Sequence, residues 1–295
     1  MLFIKDFFKF FVIVVAFFSI NLLSISSAFA VKKKMSKNDN RSVNVDKGNP
    51  KVIGISVSYE INTSYESEKM YLYDKQYLRT RYIDQFAKAC KNKNIVFVMV
   101  PVNERQIDKI ANLVDGMIFT GGDDIDPSLF GQKRHVTVKD VEPARRVKFD
   151  MNLIKKLVKQ EKPVLGICLG AQEMNIVFGG DVMQDIDSEI PSSNINHRCS
   201  ATRNCHSIKI KENSLLEKIL KKKHIDVNSR HHQAVGKIAD NFHATAVAQD
   251  GVVEAIECKT CKNFTLGVQW HPEFLIDKNS INIIQSFCEA VEGKN

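Results

Sequence analysis

The chain has 295 residues, enough for one large α/β domain or two small ones with ample core. Its net charge of +8 sits mostly at the front: residues 31–50 carry six Lys/Arg (32, 33, 34, 37, 41 and 47) against Asp39 and Asp46, and residues 1–30 add a net of one. The remainder keeps only three of those eight charges, which excludes the broad basic face that holds nucleic acid.

Lys5 and Lys9 form a basic start, Phe10 to Ile25 is an apolar run broken by Ser19, Asn21 and Ser24, and Ala28-Phe29-Ala30 is a small-x-small cleavage site. Residues 1–30 therefore read as an export signal peptide cut after Ala30, placing the mature protein in the periplasm. The apolar run is short for a full span, so no stable membrane span is expected after cleavage. The alternative is a membrane anchor made by the uncleaved signal. Residues 31–50 lack aromatics and periodicity and read as a flexible basic linker, leaving 51–295 as the folded domain.

Lys51 to Val57 (KVIGISV) opens that domain as a buried strand, followed by a helix over roughly Lys75 to Asn92 with Leu78, Tyr82, Phe86 and Ala89 on one face. Ile95 to Pro101 is the second strand, and Asn103 caps a short helix reaching Val114. Asp115 to Thr120 is the third strand and runs into Gly121-Gly122-Asp123-Asp124. A glycine pair at the carboxyl end of a parallel strand lies where open α/β sheets bind ligands, although a plain tight turn uses the same residues. Residues 131–141 read as a loop, and Pro143 starts a helix to Glu161 with Phe149, Leu153, Ile154 and Leu157 on one face. This alternation implies right-handed crossovers and a mostly parallel sheet.

The next stretch, Lys162 to Gln172 (KPVLGICLGAQ), is an apolar strand that turns helical after Gly170. Cys168 stands at the turn between glycines 166 and 170, a thiol counterpart of the serine nucleophile elbow. A helix N-terminus favours a thiolate and aims free N–H groups at a developing oxyanion. Taken alone, Cys168 reads better as a small buried core residue, and the C-terminal half decides otherwise.

After Gly180 the pattern changes to short strands at His206–Lys211, Ile225–Val227, Ala244–Gln249, Val253–Glu257 and Thr265–Trp270, with Asp250-Gly251 as a hairpin turn. This half is more antiparallel, and a helix over Ser280–Val291 closes it. The strand ending in Gly267-Val268-Gln269-Trp270-His271-Pro272-Glu273 carries what Cys168 needs. His271 can take and return the proton, and Glu273 can fix its tautomer.

Three further features carry weight. His231 and His232 are adjacent on an extended segment, so their rings point to opposite faces and a shared metal is not expected; His231 reads as a residue of the site rim. Seven cysteines (90, 168, 199, 205, 258, 261 and 288) follow Ala30, an odd number that leaves at least one unpaired in an exported chain. For Cys199, Cys205, Cys258 and Cys261, disulfides rank first, free thiols second and a zinc site third. Cys168, Cys90 and Cys288 are expected to remain reduced.

The motifs DGMIFTGGDDIDPSLFG (115–131), KPVLGICLGAQEMNIVFGG (162–180), VNSRHHQAV (227–235), AQDGVVEAIE (248–257) and LGVQWHPE (266–273) together resemble the class I glutamine amidotransferase-like hydrolases. The likeness is to the γ-glutamyl-γ-aminobutyrate hydrolase-like (peptidase C26 type) branch and spans about residues 50–290. It implies one α/β domain with a mostly parallel, flavodoxin-like central sheet flanked by helices and a more antiparallel C-terminal half. It also implies a Cys168–His271–Glu273 triad, an oxyanion hole from Leu169 and the Gly121–Gly122 turn, and Gln172, Ser229 and His231 near the glutamyl head, with no cofactor and no metal. Two departures stand out. Arg146-Val147-Lys148-Phe149-Asp150 lacks the first acid of the family's usual Arg-Asp-x-Phe-Glu, and Arg230 replaces an aromatic between Ser229 and His231. The expected activity is hydrolysis of a small γ-glutamyl amide. The alternatives are a glutaminase subunit feeding ammonia to a separate synthase and a non-catalytic binder of γ-glutamyl ligands.

Overall fold

A computed structural model describes residues 48–66 and 69–293; the expected signal peptide and nearly all of the linker lie outside them. Strand β1 (Lys51–Ser56) leads into a hairpin, β2 (Ser58–Glu66) and β3 (Lys69–Tyr77), then helix α1 (Thr80–Ala89), β4 (Ile95–Val100), α2 (Ile107–Leu113) and β5 (Gly116–Phe119). Helix α3 (Ala144–Lys159), β6 (Val164–Ile167) and α4 (Leu169–Val177) follow. The C-terminal half holds β7 (Val182–Met183), α5 (Ile186–Glu189), β8 (His206–Ile210), α6 (Leu215–Leu220), β9 (His224–Val227), β10 (Ala234–Val235), β11 (Phe242–Ala248), β12 (Val253–Cys258), β13 (Thr265–Val268) and α7 (Lys278–Glu292).

The main sheet runs β4-β1-β5-β6-β13-β12-β11-β8-β9. The first five strands are mutually parallel and the last four antiparallel, as the change of pattern after Gly180 predicts. Alternation along β5 divides the core: Ile118 packs on one face with Phe86 of α1 and Phe287 of α7, while Met117 and Phe119 pack on the other with Phe149 and Leu153 of α3. Each such fully buried side chain contributes about 1.5–3 kcal/mol, so the two apolar layers hold the sheet between helices. No helix among the described residues is long and apolar enough to cross a membrane.

Two expectations need correction. The helix predicted from Lys75 begins only at Thr80, because Lys75, Gln76 and Tyr77 pair with Glu60, Tyr59 and Ser58 in the β2–β3 hairpin. There the Gln76 side-chain carbonyl accepts the Val102 N–H at 2.7 Å. Cys90 and Cys288 are not reduced thiols: they form a disulfide that ties the end of α1 to α7 within the core. Cys199–Cys205 and Cys258–Cys261 are also bridged, and Cys168 is the free thiol.

Candidate active site

Strands β5, β6 and β13 are parallel neighbours with Phe119 opposite Gly166 and Ile167 opposite Val268. Their carboxyl ends therefore deliver Gly121-Gly122, Cys168 and His271 to one edge, where open sheets place ligand sites. Cys168 has φ 53° and ψ −106°, a left-handed conformation costly for a residue with a Cβ. The turn that forces it is tight: a Cβ on Gly166 would lie 2.7 Å from the Gly170 carbonyl. The strained elbow keeps Cys168 only 6% exposed at the first turn of α4. Leu169 opens that helix, so its N–H has no carbonyl one turn back to bind.

His271 Nδ1 lies 2.8 Å from Glu273 Oε1, and Glu273 is fully buried. Pro272 begins the short 3₁₀ turn that brings Glu273 back under the ring. Asn228 clamps the His271 backbone from both sides, donating to its carbonyl at 2.8 Å and accepting its N–H at 2.9 Å. Burial opposes a charge on the ring, but Glu273 and then Cys168 outweigh it and hold His271 up at about 10. The Gln269 amide donates towards Cys168 Sγ at 3.6 Å and is itself held by the Gln172 amide at 3.2 Å.

Gly121 is the joint of this assembly. A Cβ there would crowd His271 Cε1 at 3.0 Å and touch Cys168 Cβ at 3.5 Å, so any side chain would press on the ring from this side. Its N–H is taken by Tyr82 Oη at 2.9 Å, which leaves Gly122 as the donor on that side. Behind the turn, fully buried Arg146 donates to the carbonyls of Thr120 and Gly121, both at 3.2 Å. Arg146 also pairs with Glu142 at 2.9 Å, and Glu142 accepts the Asp123 N–H at 3.0 Å. Val147, where the family's first acid is missing, packs instead with Ile125 and Leu169 in an apolar cluster.

A cavity of about 200 Å³ opens over these groups. Of the residues expected from sequence, Cys168, His271, Gly122, Leu169, Gln172 and His231 line it. Gly121 and Glu273 stand behind its wall, and Ser229 faces away, its hydroxyl donating to the His197 carbonyl at 2.8 Å. Sequence reasoning missed Arg79, Asp123, Asp124, His232, Gln233 and Phe274 as lining residues, and noted Arg230 only as a departure. Arg79 comes from the start of α1 and Phe274 from the turn after Glu273, and no local motif marks either. His232 bridges Asp124 and Asp185 at 2.8 and 3.0 Å, while His231 turns away towards Glu254, so the adjacent rings do face opposite ways. Donating to the Asp124 carboxylate raises His232 above its usual range.

The Peptidase C26 family model matches residues 51–273. The glutamine amidotransferase-like protein YvdE of Lactococcus lactis subsp. lactis (strain IL1403) is 35% identical over 199 residues, covering 66% of this chain and 80% of that protein. The gamma-glutamyl-gamma-aminobutyrate hydrolase PuuD of Escherichia coli (strain K12) is 26% identical over 181 residues, covering 57% of this chain and 67% of its own. Among solved structures, the glutaminase domain of Trypanosoma brucei CTPS with bound acivicin shares the fold, with a TM-score of 0.55 at 15% identity over 83% of this chain and 95% of that one. The match over residues 51–273 and the shared fold agree: the chain belongs to the peptidase C26 family and is a hydrolase- or amidotransferase-like enzyme.

Proposed function

We propose that the chain hydrolyses a γ-glutamyl amide through a thioester on Cys168. The observation that carries this reading is the convergence of Cys168, at its strained elbow, with the His271–Glu273 pair under one small cavity. His271 takes the Cys168 thiol proton, becoming the imidazolium, and the sulfur attacks the γ-carbonyl carbon; the new C–S bond displaces the carbonyl π electrons onto oxygen. The Leu169 and Gly122 N–H groups face that oxyanion. Collapse breaks the C–N bond, and the imidazolium of His271 protonates the departing amine. His271 then takes a proton from water as it attacks the thioester, releasing the γ-carboxylate and the thiol group for another cycle.

Charges of both signs at the cavity support an amino-acid head as the bound group. Arg79 and Arg230 suit an α-carboxylate, and Asp123 and Asp124 an α-ammonium. The relatives include a gamma-glutamyl-gamma-aminobutyrate hydrolase, which fits the same substrate class. We also place the reaction in an oxidising compartment: six of the seven cysteines are bridged, which suits an exported protein.

The test is release of free amine and glutamate from a panel of γ-glutamyl amides by the purified domain. Turnover of at least one member, lost in Cys168→Ala, is expected. Binding without turnover would favour the non-catalytic reading, and turnover of glutamine alone would favour the ammonia-feeding one.

A further inference from the structure

Beside the catalytic cavity, three imidazoles and one carboxylate converge from four segments. Nδ1 of His197, Nε2 of His206 on β8 and Nε2 of His231 lie 3.4, 3.3 and 3.7 Å from Oε1 of Glu254 on β12. These atoms are buried, and neither the three inward nitrogens nor either Glu254 oxygen has a hydrogen-bond partner. The outward nitrogens are committed elsewhere. His197 Nε2 meets Asp250 Oδ2 at 3.0 Å, His231 Nδ1 meets the Gln233 carbonyl at 3.0 Å, and His206 Nδ1 points to the Ser207 carbonyl at 3.5 Å.

Each outward partner is an oxygen acceptor, so in a neutral ring the proton sits outward and the inward nitrogen presents a lone pair. With all three rings neutral, three lone pairs and a carboxylate oxygen face one another with no donor among them; a proton on His197, which Glu254 and Asp250 favour against burial, supplies one donor. A cation resolves this arrangement. One proton serves a single nitrogen–oxygen contact and leaves the other two lone pairs unmatched, whereas a metal ion takes all four at once.

We propose that His197, His206, His231 and Glu254 form a tetrahedral site for a divalent transition metal of the zinc type. Metal–ligand distances of about 2.0–2.2 Å put tetrahedral corners about 3.3–3.6 Å apart; His206 and His197 stand at 3.3 and 3.4 Å from Glu254 Oε1, and His231 just beyond at 3.7 Å. The inward atoms of His197, His231 and Glu254 lie within 4.8 Å of one another; His206 reaches Glu254 Oε1 at 3.3 Å but stands outside that threesome, so its ring must move inward to close the set. Imidazole with one carboxylate is a zinc-type donor set, and the Asp250–His197 contact is the outer carboxylate that commonly orients a ligating ring.

The site is held in advance of any ion. The Cys199–Cys205 bridge joins the segments bearing His197 and His206, and a two-way backbone pair between Ser200 and Ser229 joins them to the loop bearing His231. That loop begins at Asn228, which clamps His271. The metal thus fixes the floor of the substrate cavity and does not enter the chemistry, and the inference stands whatever amide is cleaved.

The experiment loads the purified oxidised Cys168→Ala chain, which has no free thiol, with Zn²⁺ or Co²⁺, then dialyses it and measures metal by mass spectrometry. About one metal per chain is expected, with visible Co²⁺ absorption of tetrahedral intensity and a melting temperature that falls on chelation. His206→Gln should lose retained metal, and Asp250→Asn, which keeps all four ligands, should weaken affinity about 10–100-fold. Less than about a tenth of a metal per chain after loading would leave the cluster as a carboxylate with a protonated imidazole and overturn the proposal. Undiminished binding by a folded His206→Gln chain would overturn this ligand set.

Discussion

Tyr82 Oη accepts the Gly121 N–H at 2.9 Å, and under the proposed mechanism this contact leaves Gly122 as the glycine whose N–H meets the reacting carbonyl. The phenol lies near Glu273 and Cys168. Burial first, and then the Glu273 charge, push its ionisation well above the ordinary tyrosine value, so it stays neutral. Tyr82→Phe should leave a buried N–H unpaired at a cost of about 1–3 kcal/mol and loosen the turn that presents Gly122. We expect kcat to fall about tenfold with KM little changed, the pattern of a lost transition-state contact. A rise in KM alone would mean that Tyr82 shapes the cavity and not the donor.

His271 and Glu273 should fail differently. His271→Ala removes the proton carrier and should reduce turnover to background, whereas Glu273→Gln keeps a hydrogen-bonding partner and should lose about 10²–10⁴-fold. The pH profile separates orientation from charge. His271 is raised to about 10, with Glu273 the largest charge acting against burial. A raised folded value means that the imidazolium's pairing stabilises the fold fully below about 6.5 and is lost as pH rises through about 10. Glu273→Gln should therefore move the alkaline limb of kcat/KM downward by about 1–3 units. An unmoved limb would show that Glu273 does not carry the charge.

Local chemistry made part of this site legible and distance hid the rest. Cys168 could be placed because a strand, two glycines and a helix lie within eleven residues, and His271 because Pro272 and Glu273 adjoin it. The parallel strands were readable because both faces of β5 and β6 are buried and the sequence is continuously apolar. The hairpin at Ser58–Tyr77 was not, since its strands are largely polar and hold together by backbone pairing, which hid the true start of α1. The Cys90–Cys288 bridge spans 198 residues and leaves no spacing signal. The cluster around Glu254 was invisible for the same reason: each histidine arrives from a separate segment, and none has metal-ligand spacing with another.

Cys168 offers a test of strain against function. Its φ of 53° is one that a Cβ resists, at a cost of about 1–3 kcal/mol, while glycine loses about 0.5–1 kcal/mol of backbone entropy on folding. The strain is the larger effect. Cys168→Gly should therefore be more stable than Cys168→Ala by about 1 kcal/mol, with both inactive. Thermal melts and a γ-glutamyl amide assay read the two outcomes. More than a few per cent of activity in either variant would exclude the thioester, and equal stabilities would show that the elbow is unstrained.

The three disulfides should contribute very unequally, because a crosslink stabilises mainly by shortening the loops open to the unfolded chain. Cys90–Cys288 closes a separation of 198 residues, Cys199–Cys205 one of 6 and Cys258–Cys261 one of 3. Chain entropy alone gives at most about 5 kcal/mol for the first and about 2 kcal/mol for the last. Packing adds in the same direction, since Cys288 is fully buried among the residues that join α1 to α7. Thiol titration of the denatured, unreduced chain should find Cys168 alone. The paired change Cys90→Ala/Cys288→Ala should then lower the melting temperature far more than Cys258→Ala/Cys261→Ala. Seven free thiols in protein purified without reductant would remove the bridges, and equal melting shifts would show that the long crosslink does not hold the two helices.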